Sequence, residues 1–145
     1  MTAIDASRLQ KSWDLVAQHG DQVPLFFYST LFVTDPHTRD MFPLSMEGQR
    51  DKLVTALGSV VSHVDRLAVV TPVLEQLGRD HRRFSVTREH YPAVGRALVA
   101  TLEHFLGGEW TDELAADWAA AYEVVAGVMI AAAEADAQAP PWYEA

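Results

Sequence analysis

The 145-residue chain contains no cysteine. That excludes disulfides, thiolate nucleophiles, iron–sulfur ligation and any prosthetic group tethered through thioethers, so a metal must be held by histidine or carboxylate, or inside an organic ring. Basic residues are few: 11 Lys and Arg against 20 Asp and Glu give a formal net charge of −9. Non-specific binding to nucleic acid or to an anionic membrane needs concentrated positive charge, so neither is an expected partner. No apolar run approaches the ~18 residues needed to cross a bilayer, and the N-terminus lacks the charged-then-apolar pattern of a signal segment; the sequence reads as cytoplasmic. No glycine-rich phosphate loop follows a strand, so no FAD or NAD site is expected within the chain. Convincing two-residue alternation is also missing, and strands with it.

What the chain does have is helical punctuation. Apolar residues make up 49% of it, enough for one domain with a real core. Asp5 is placed to cap a first helix over about residues 6–19, with Ile4 and Leu9 as its staple, Leu9, Trp13 and Val16 on one face, and Gly20 at a left-handed exit. From Asp21 a second run puts Leu25, Tyr28 and Phe32 on one face and tolerates Pro24 in its first turn. Asp35-Pro36 starts a short third helix that ends around Met41-Phe42-Pro43. Gln49, Leu53, Ala56, Leu57 and Val60 then recur at helical spacing. Thr71-Pro72 reads as a second cap-plus-proline start, for a helix running through Val73, Leu74 and Leu77 to about His81. A further helix spans roughly Thr87 to Leu106, with Val94, Leu98 and Leu102 inward and Gly107-Gly108 as its stop. Thr111-Asp112-Glu113 opens the last one, whose acidic first turn suits the helix dipole and which continues through Trp118, Tyr122, Val125 and Met129. The expected class is all-α.

His81 stands at a helix end, and a neutral imidazole there is a common ligand for haem iron. One of 6 histidines settles nothing alone. With about seven helices, a Phe-Pro corner after a short third helix and this histidine late in the chain, the sequence resembles the globin family, over nearly everything from Asp5 to Gln138. It is most similar to the bacterial branch, the globin domains of flavohaemoglobins and the single-domain bacterial haemoglobins. The resemblance is carried by Phe26 to Phe32, Gly48-Gln49-Arg50-Asp51-Lys52-Leu53, Leu77 to His81, His90-Tyr91-Pro92-Ala93-Val94-Gly95 and Asp117 to Tyr122, in this order and at these separations.

The resemblance implies a globin fold over residues 1–139, with non-covalent haem b between the helix bearing Gln49 and the helix bearing His81. His81 matches the proximal iron ligand and Phe42 the aromatic wedge against the haem plane. Tyr28 and Gln49 match the distal donor pair, and Leu53, one turn after Gln49, the apolar residue over the iron. A bound dioxygen gains partial negative charge, so a phenol O–H and an amide N–H aimed at it favour the bound form. Leu57, Leu77, Val94, Leu98, Tyr122 and Met129 are expected to line the haem pocket. Read without the family, Tyr28 suits equally a core tyrosine bonded to a backbone carbonyl, and Gln49 a solvated helix residue.

Tyr91 matches the proximal tyrosine that, in this branch, orients the ligand histidine together with a glutamate on the last helix. Here the sequence departs from the family: an ungapped count from Trp118 and Tyr122 places that glutamate at Ala133, and the acid is Glu134. One residue is about 100° of helix rotation, so Glu134 is expected to point elsewhere. Asp80 stands where the family usually has lysine. Pro140-Pro141 gives residues 140–145 a linker-like exit: either the point at which a flavin reductase would follow, or a tail that packs Trp142 over the helix ends. The functions implied are dioxygen binding and, with electrons from a flavin reductase domain or protein, oxidation of nitric oxide to nitrate. The alternatives are dioxygen storage or delivery, and gas sensing without turnover.

Overall fold

The computed structural model describes residues 4–138; the tail at 140–145 lies outside the described residues. Six α-helices follow one another: α1 (Ala6–Ala17), α2 (Gln22–Thr34), α3 (Glu47–Ser62), α4 (Leu67–Arg83), α5 (His90–Leu106) and α6 (Asp112–Gln138). With the six-residue 3-10 helix Pro36–Met41 between α2 and α3 they make seven, and no strand occurs among the described residues. Shorter 3-10 turns, Val64–Arg66 and Gly107–Glu109, join α3 to α4 and α5 to α6. The class is all-α.

Most boundaries have the chemistry that the sequence announced. The Asp5 carboxylate accepts the Arg8 N–H at 3.0 Å, capping α1. Gly20 exits α1 at φ 58° and Gly107 stops α5 at φ 53°, both in the left-handed region that glycine enters without cost. Thr111 Oγ1 accepts the Leu114 N–H at the start of α6. Three expectations fail. Thr71-Pro72 does not open α4, which begins at Leu67 and holds Pro72 inside; Ala68, whose carbonyl loses its helical donor to the proline, is exposed to water, so the break is tolerated. α5 begins at His90 rather than Thr87: residues 88–89 form a turn, closed by the His90 N–H donating to the Thr87 carbonyl at 3.0 Å, while the Thr87 N–H donates to His90 Nδ1 at 2.8 Å. The buried face of α2 is Val23, Pro24, Phe27, Tyr28 and Leu31, with Leu25 exposed, and Val73 of α4 likewise faces out.

The most extensive helix pairs are α4 with α6 and α2 with α5. Gly78 makes the first possible: a Cβ there would meet Met129 Cα and carbonyl C, each at 2.7 Å, so α4 lies backbone to backbone on α6 at that point. At the other end of α6, Asp117 is 1% exposed; its carboxylate accepts Arg8 Nε at 2.6 Å and the Asp5 N–H at 3.2 Å, tying α6 to the start of α1. By length and composition α6 is apolar enough to span a bilayer, which the charge-interrupted sequence did not show; it turns Leu114, Trp118, Ala121, Ala126, Met129 and Ala132 into the interior.

The apolar core falls into two clusters. The larger joins α1, α2, α5 and the first half of α6, with Phe42, Leu53 and Leu57 packed against it. The smaller holds Val70, Leu74 and Met129 between α4 and α6, with Leu77 and Tyr91 against it.

Candidate functional site

Tyr28, on the buried face of α2, is 5% exposed and boxed by aromatic rings. Phe27 meets it edge-on at 5.0 Å, Phe42 edge-on at 5.4 Å, and Phe32 lies nearly parallel at 5.8 Å. Among the described residues the single hydrogen bond to its hydroxyl comes from α3: Gln49 Nε2 donates to the phenol oxygen at 3.3 Å. The oxygen is thereby an acceptor, and the phenol's own proton remains free to donate. Burial pushes the phenol's pKa up and the Gln49 bond offsets part of that rise, so the group stays protonated through the neutral range. Leu53 and Leu57, one and two turns along α3 from Gln49, are half-buried against the same cluster.

Phe42 is held from an unexpected side. Arg39, in the 3-10 helix, donates from Nη1 to the Phe42 and Pro43 carbonyls at 3.3 and 3.0 Å and from Nη2 to the Leu44 carbonyl at 3.2 Å, with its guanidinium 5.2 Å from the Phe32 ring centre. One side chain thus satisfies three carbonyls of an irregular corner and fixes the wedge. The sequence offered no signal for this beyond an arginine near a Phe-Pro pair.

His81 lies near the end of α4 and is exposed. Its Nδ1 is 2.6 Å from the Leu77 carbonyl, one turn back. A carbonyl can only accept, which assigns the proton to Nδ1 and leaves the Nε2 lone pair free for a metal. This is the orienting contact that a ligating imidazole needs. Leu77 is half-buried beside the Val70, Leu74 and Met129 cluster.

Tyr91, at the second position of α5, is half-buried against that smaller cluster, and burial raises its pKa. Its neighbours explain its position. Tyr122 donates its hydroxyl to the Tyr91 carbonyl at 2.6 Å, and the Tyr122 ring closes on Gly95, where a Cβ would meet it at 2.9 Å. Burial, with Tyr91 alongside, pushes the Tyr122 phenol well above its ordinary value. Tyr122 therefore acts as a strut between α5 and α6. Val94 and Leu98, farther along α5, pack in the larger cluster. Ala133 is half-buried, and Glu134 turns away to Arg88, whose Nε and Nη2 lie 2.9 and 2.8 Å from Oε1. The acid expected to be displaced from Tyr91 is committed elsewhere, to a partner 46 residues away. Asp80 accepts from Gln76 at 2.8 Å and pairs with Arg83 at 3.5 Å, on the surface.

The globin family pattern matches residues 25–129. The chain belongs to the globin family. Among curated relatives, this globin is 30% identical over 138 residues to a flavohemoprotein of Bacillus subtilis, covering 90% of this chain and 35% of the relative. It is 32% identical over 119 residues to one of Bordetella parapertussis, covering 80% of this chain and 30% of the relative. The chain thus spans about a third of the length of these relatives. Solved structures agree on the fold. A bacterial globin from Campylobacter jejuni superposes with a TM-score of 0.82 at 19% identity, covering 92% of this chain and 97% of that one. An engineered carbene transferase from Rhodothermus marinus, described as a candidate nitric oxide dioxygenase, superposes at 0.82 with 24% identity, covering 94% and 96%.

The donor set of this globin suits haem. It offers one neutral imidazole with its second nitrogen already bonded, a flat aromatic wedge at Phe42, apolar side chains on α3 and α4, and a protonated phenol paired with an amide on the Phe42 side.

Proposed function

We propose that this globin holds haem b through His81 Nε2 and binds dioxygen on the opposite face, beside Tyr28 and Gln49. When bound, the haem supplies the iron at which dioxygen and nitric oxide meet and through which an electron enters. The chain's own residues do the rest. The Tyr28 O–H donates toward a ligand that takes on negative charge, in a box too apolar for water to compete. Gln49 Nε2 holds the phenol oxygen, so the proton points away from the amide and toward the ligand. Leu53 walls the same side. Leu77 fixes the His81 ring through its carbonyl.

The observation that carries this reading is the Gln49–Tyr28 contact, in which the buried phenol hydroxyl accepts and, among the described residues, donates to nothing. It serves oxidation of nitric oxide with dioxygen and one electron to nitrate, the electron coming from a flavin reductase domain or protein such as the flavohemoprotein relatives' names imply. A specific observation favours the second reading, dioxygen binding without efficient turnover: among the described residues Tyr91 has no carboxylate partner, because residue 133 is alanine and Glu134 is paired with Arg88. An anionic partner strengthens the imidazole as an electron donor, and its loss weakens O–O chemistry without touching ligand binding. The test is nitrate formation by the haem-loaded protein, supplied with a flavin reductase, NADH, dioxygen and nitric oxide. One nitrate per nitric oxide, sustained over many turnovers, supports the first reading. Reversible dioxygen binding with nitrate limited to a single turnover supports the second.

A further inference from the structure

Gln49 sits in the uncapped first turn of α3. Glu47 opens the helix, Gly48 follows, and Met46 at the cap position supplies no side-chain hydrogen bond, so the first-turn N–H groups lack a side-chain acceptor. Glycine at the second position adds backbone freedom. A turn built this way frays, yet the amide it carries has to stay at 3.3 Å from Tyr28.

The next residue, Arg50, donates from Nε to Asp21 Oδ1 at 3.1 Å. Asp21 immediately precedes α2 with helical backbone angles, φ −65° and ψ −17°, so the helical period extends to it. Asp21 and Tyr28 are seven positions apart, which on a helix brings them within about 20° of one face, roughly 10 Å apart along the axis. Two adjacent residues of α3, Gln49 and Arg50, thus grip the same face of α2 at two points two turns apart. Among the described residues these are the only side-chain hydrogen bonds between α3 and the segment from Asp21 to Thr34. The far end of α3 is tied to α1, where Gln10 Nε2 donates to the Val61 carbonyl at 3.1 Å, so the direction of its first turn is left to the contacts with α2. There the Arg50–Asp21 pair adds a second tie beside Gln49–Tyr28.

We infer that the Arg50–Asp21 pair is a positioning clamp that sets how Gln49 and Tyr28 face the ligand. The inference rests on the proposed distal site. Arg50 is 21% exposed in its side chain and Asp21 58%, so the clamp works in partly solvated surroundings and weakens in salt.

Two readouts test it separately from the proposed function. In the haem-free protein, hydrogen exchange of the first hydrogen-bonded amides of α3, residues 50–53, should quicken several-fold in Asp21→Ala, with α5 and α6 unchanged; unchanged exchange over 50–53 overturns the clamp. In the haem-loaded protein, Asp21→Ala and Arg50→Ala should each speed dioxygen release roughly two- to five-fold, the range of a partly exposed ion pair. Both should shift the C–O stretching band of the carbon monoxide complex, and the exchanged pair Asp21→Arg with Arg50→Asp should restore the native rate and band. High salt should mimic Asp21→Ala in the native protein and add nothing in the variant. If Tyr28→Phe speeds release while neither clamp variant moves rate or band, the clamp is refuted and the distal site stands. If Tyr28→Phe itself changes nothing, the distal reading falls, and the exchange result alone decides the clamp.

Discussion

Replacing Tyr28 with phenylalanine removes one oxygen from a box whose walls are already aromatic, so Phe27, Phe32 and Phe42 accept the new ring with little repacking. The loss is a donor to a ligand bearing partial charge, an interaction typically worth about 1.5–3 kcal/mol, or roughly ten- to one-hundred-fold in rate. The Gln49 amide, now held at 3.3 Å by the phenol oxygen, is released by the same change and can turn toward the ligand. That partial replacement sets the expectation at the lower end, about ten-fold faster dioxygen release. Gln49→Leu leaves the Tyr28 proton in place but frees the phenol to rotate, so its effect should be smaller. The double variant should exceed the product of the two single effects, because each single variant keeps one donor. Burial raises the Tyr28 pKa, so the donor persists into alkaline solution and native release should stay flat from pH 6 to about pH 9. Stopped-flow displacement of dioxygen by carbon monoxide measures all four proteins. Release unchanged in Tyr28→Phe and in the double variant would refute the reasoning, since the phenol would then not reach the ligand.

Three further outcomes are expected. Gly78→Ala forces a Cβ against Met129 backbone atoms that cannot yield, so α4 must lift off α6; thermal denaturation should show a loss of about 1–3 kcal/mol, with faster haem loss because His81 rides on the same helix. Burial alone would raise the Asp117 carboxyl, but Arg8 and the Asp5 N–H outweigh it and hold it below its ordinary 3.8. A depressed folded value adds stability above the unfolded pKa that is lost as pH falls through the folded one; the urea midpoint of Asp117→Asn should lie below native at pH 7, with the gap closing below about pH 4. Ala133→Glu places a carboxylate one turn beyond Met129, whose cluster Tyr91 packs against, and resonance Raman should show a higher iron–histidine stretching frequency, at a stability cost of about 1 kcal/mol or more for the half-buried charge.

The helix count and class were legible because caps, prolines and glycines act over four or five residues: Asp5, Gly20, Gly107 and Thr111 all do locally what their chemistry implies. Pro72 misled because its cost depends on whether the carbonyl at Ala68 meets water, a fact of tertiary exposure. The same limit divides the site. Tyr28, Gln49 and His81 were singled out through family motifs, whereas the pairings around them were not: Arg39 on three corner carbonyls, Arg50 on Asp21, and Arg88 drawing off Glu134. Each such pairing depends on where a long side chain lands, up to 46 residues away, and no local pattern encodes that. Tyr122 was expected in the pocket lining; its hydroxyl is spent on the Tyr91 carbonyl, a bond visible only once α5 and α6 are packed.

The central claim is that His81, oriented by the Leu77 carbonyl, holds the haem iron. The ferrous deoxy spectrum of the native protein and of His81→Ala tests it directly, with imidazole added back to the variant. The account predicts a five-coordinate, histidine-ligated spectrum in the native protein, its loss in His81→Ala, and its return when free imidazole fills the space. A His81→Ala protein with the native spectrum and no response to imidazole would contradict it and assign the iron to another residue.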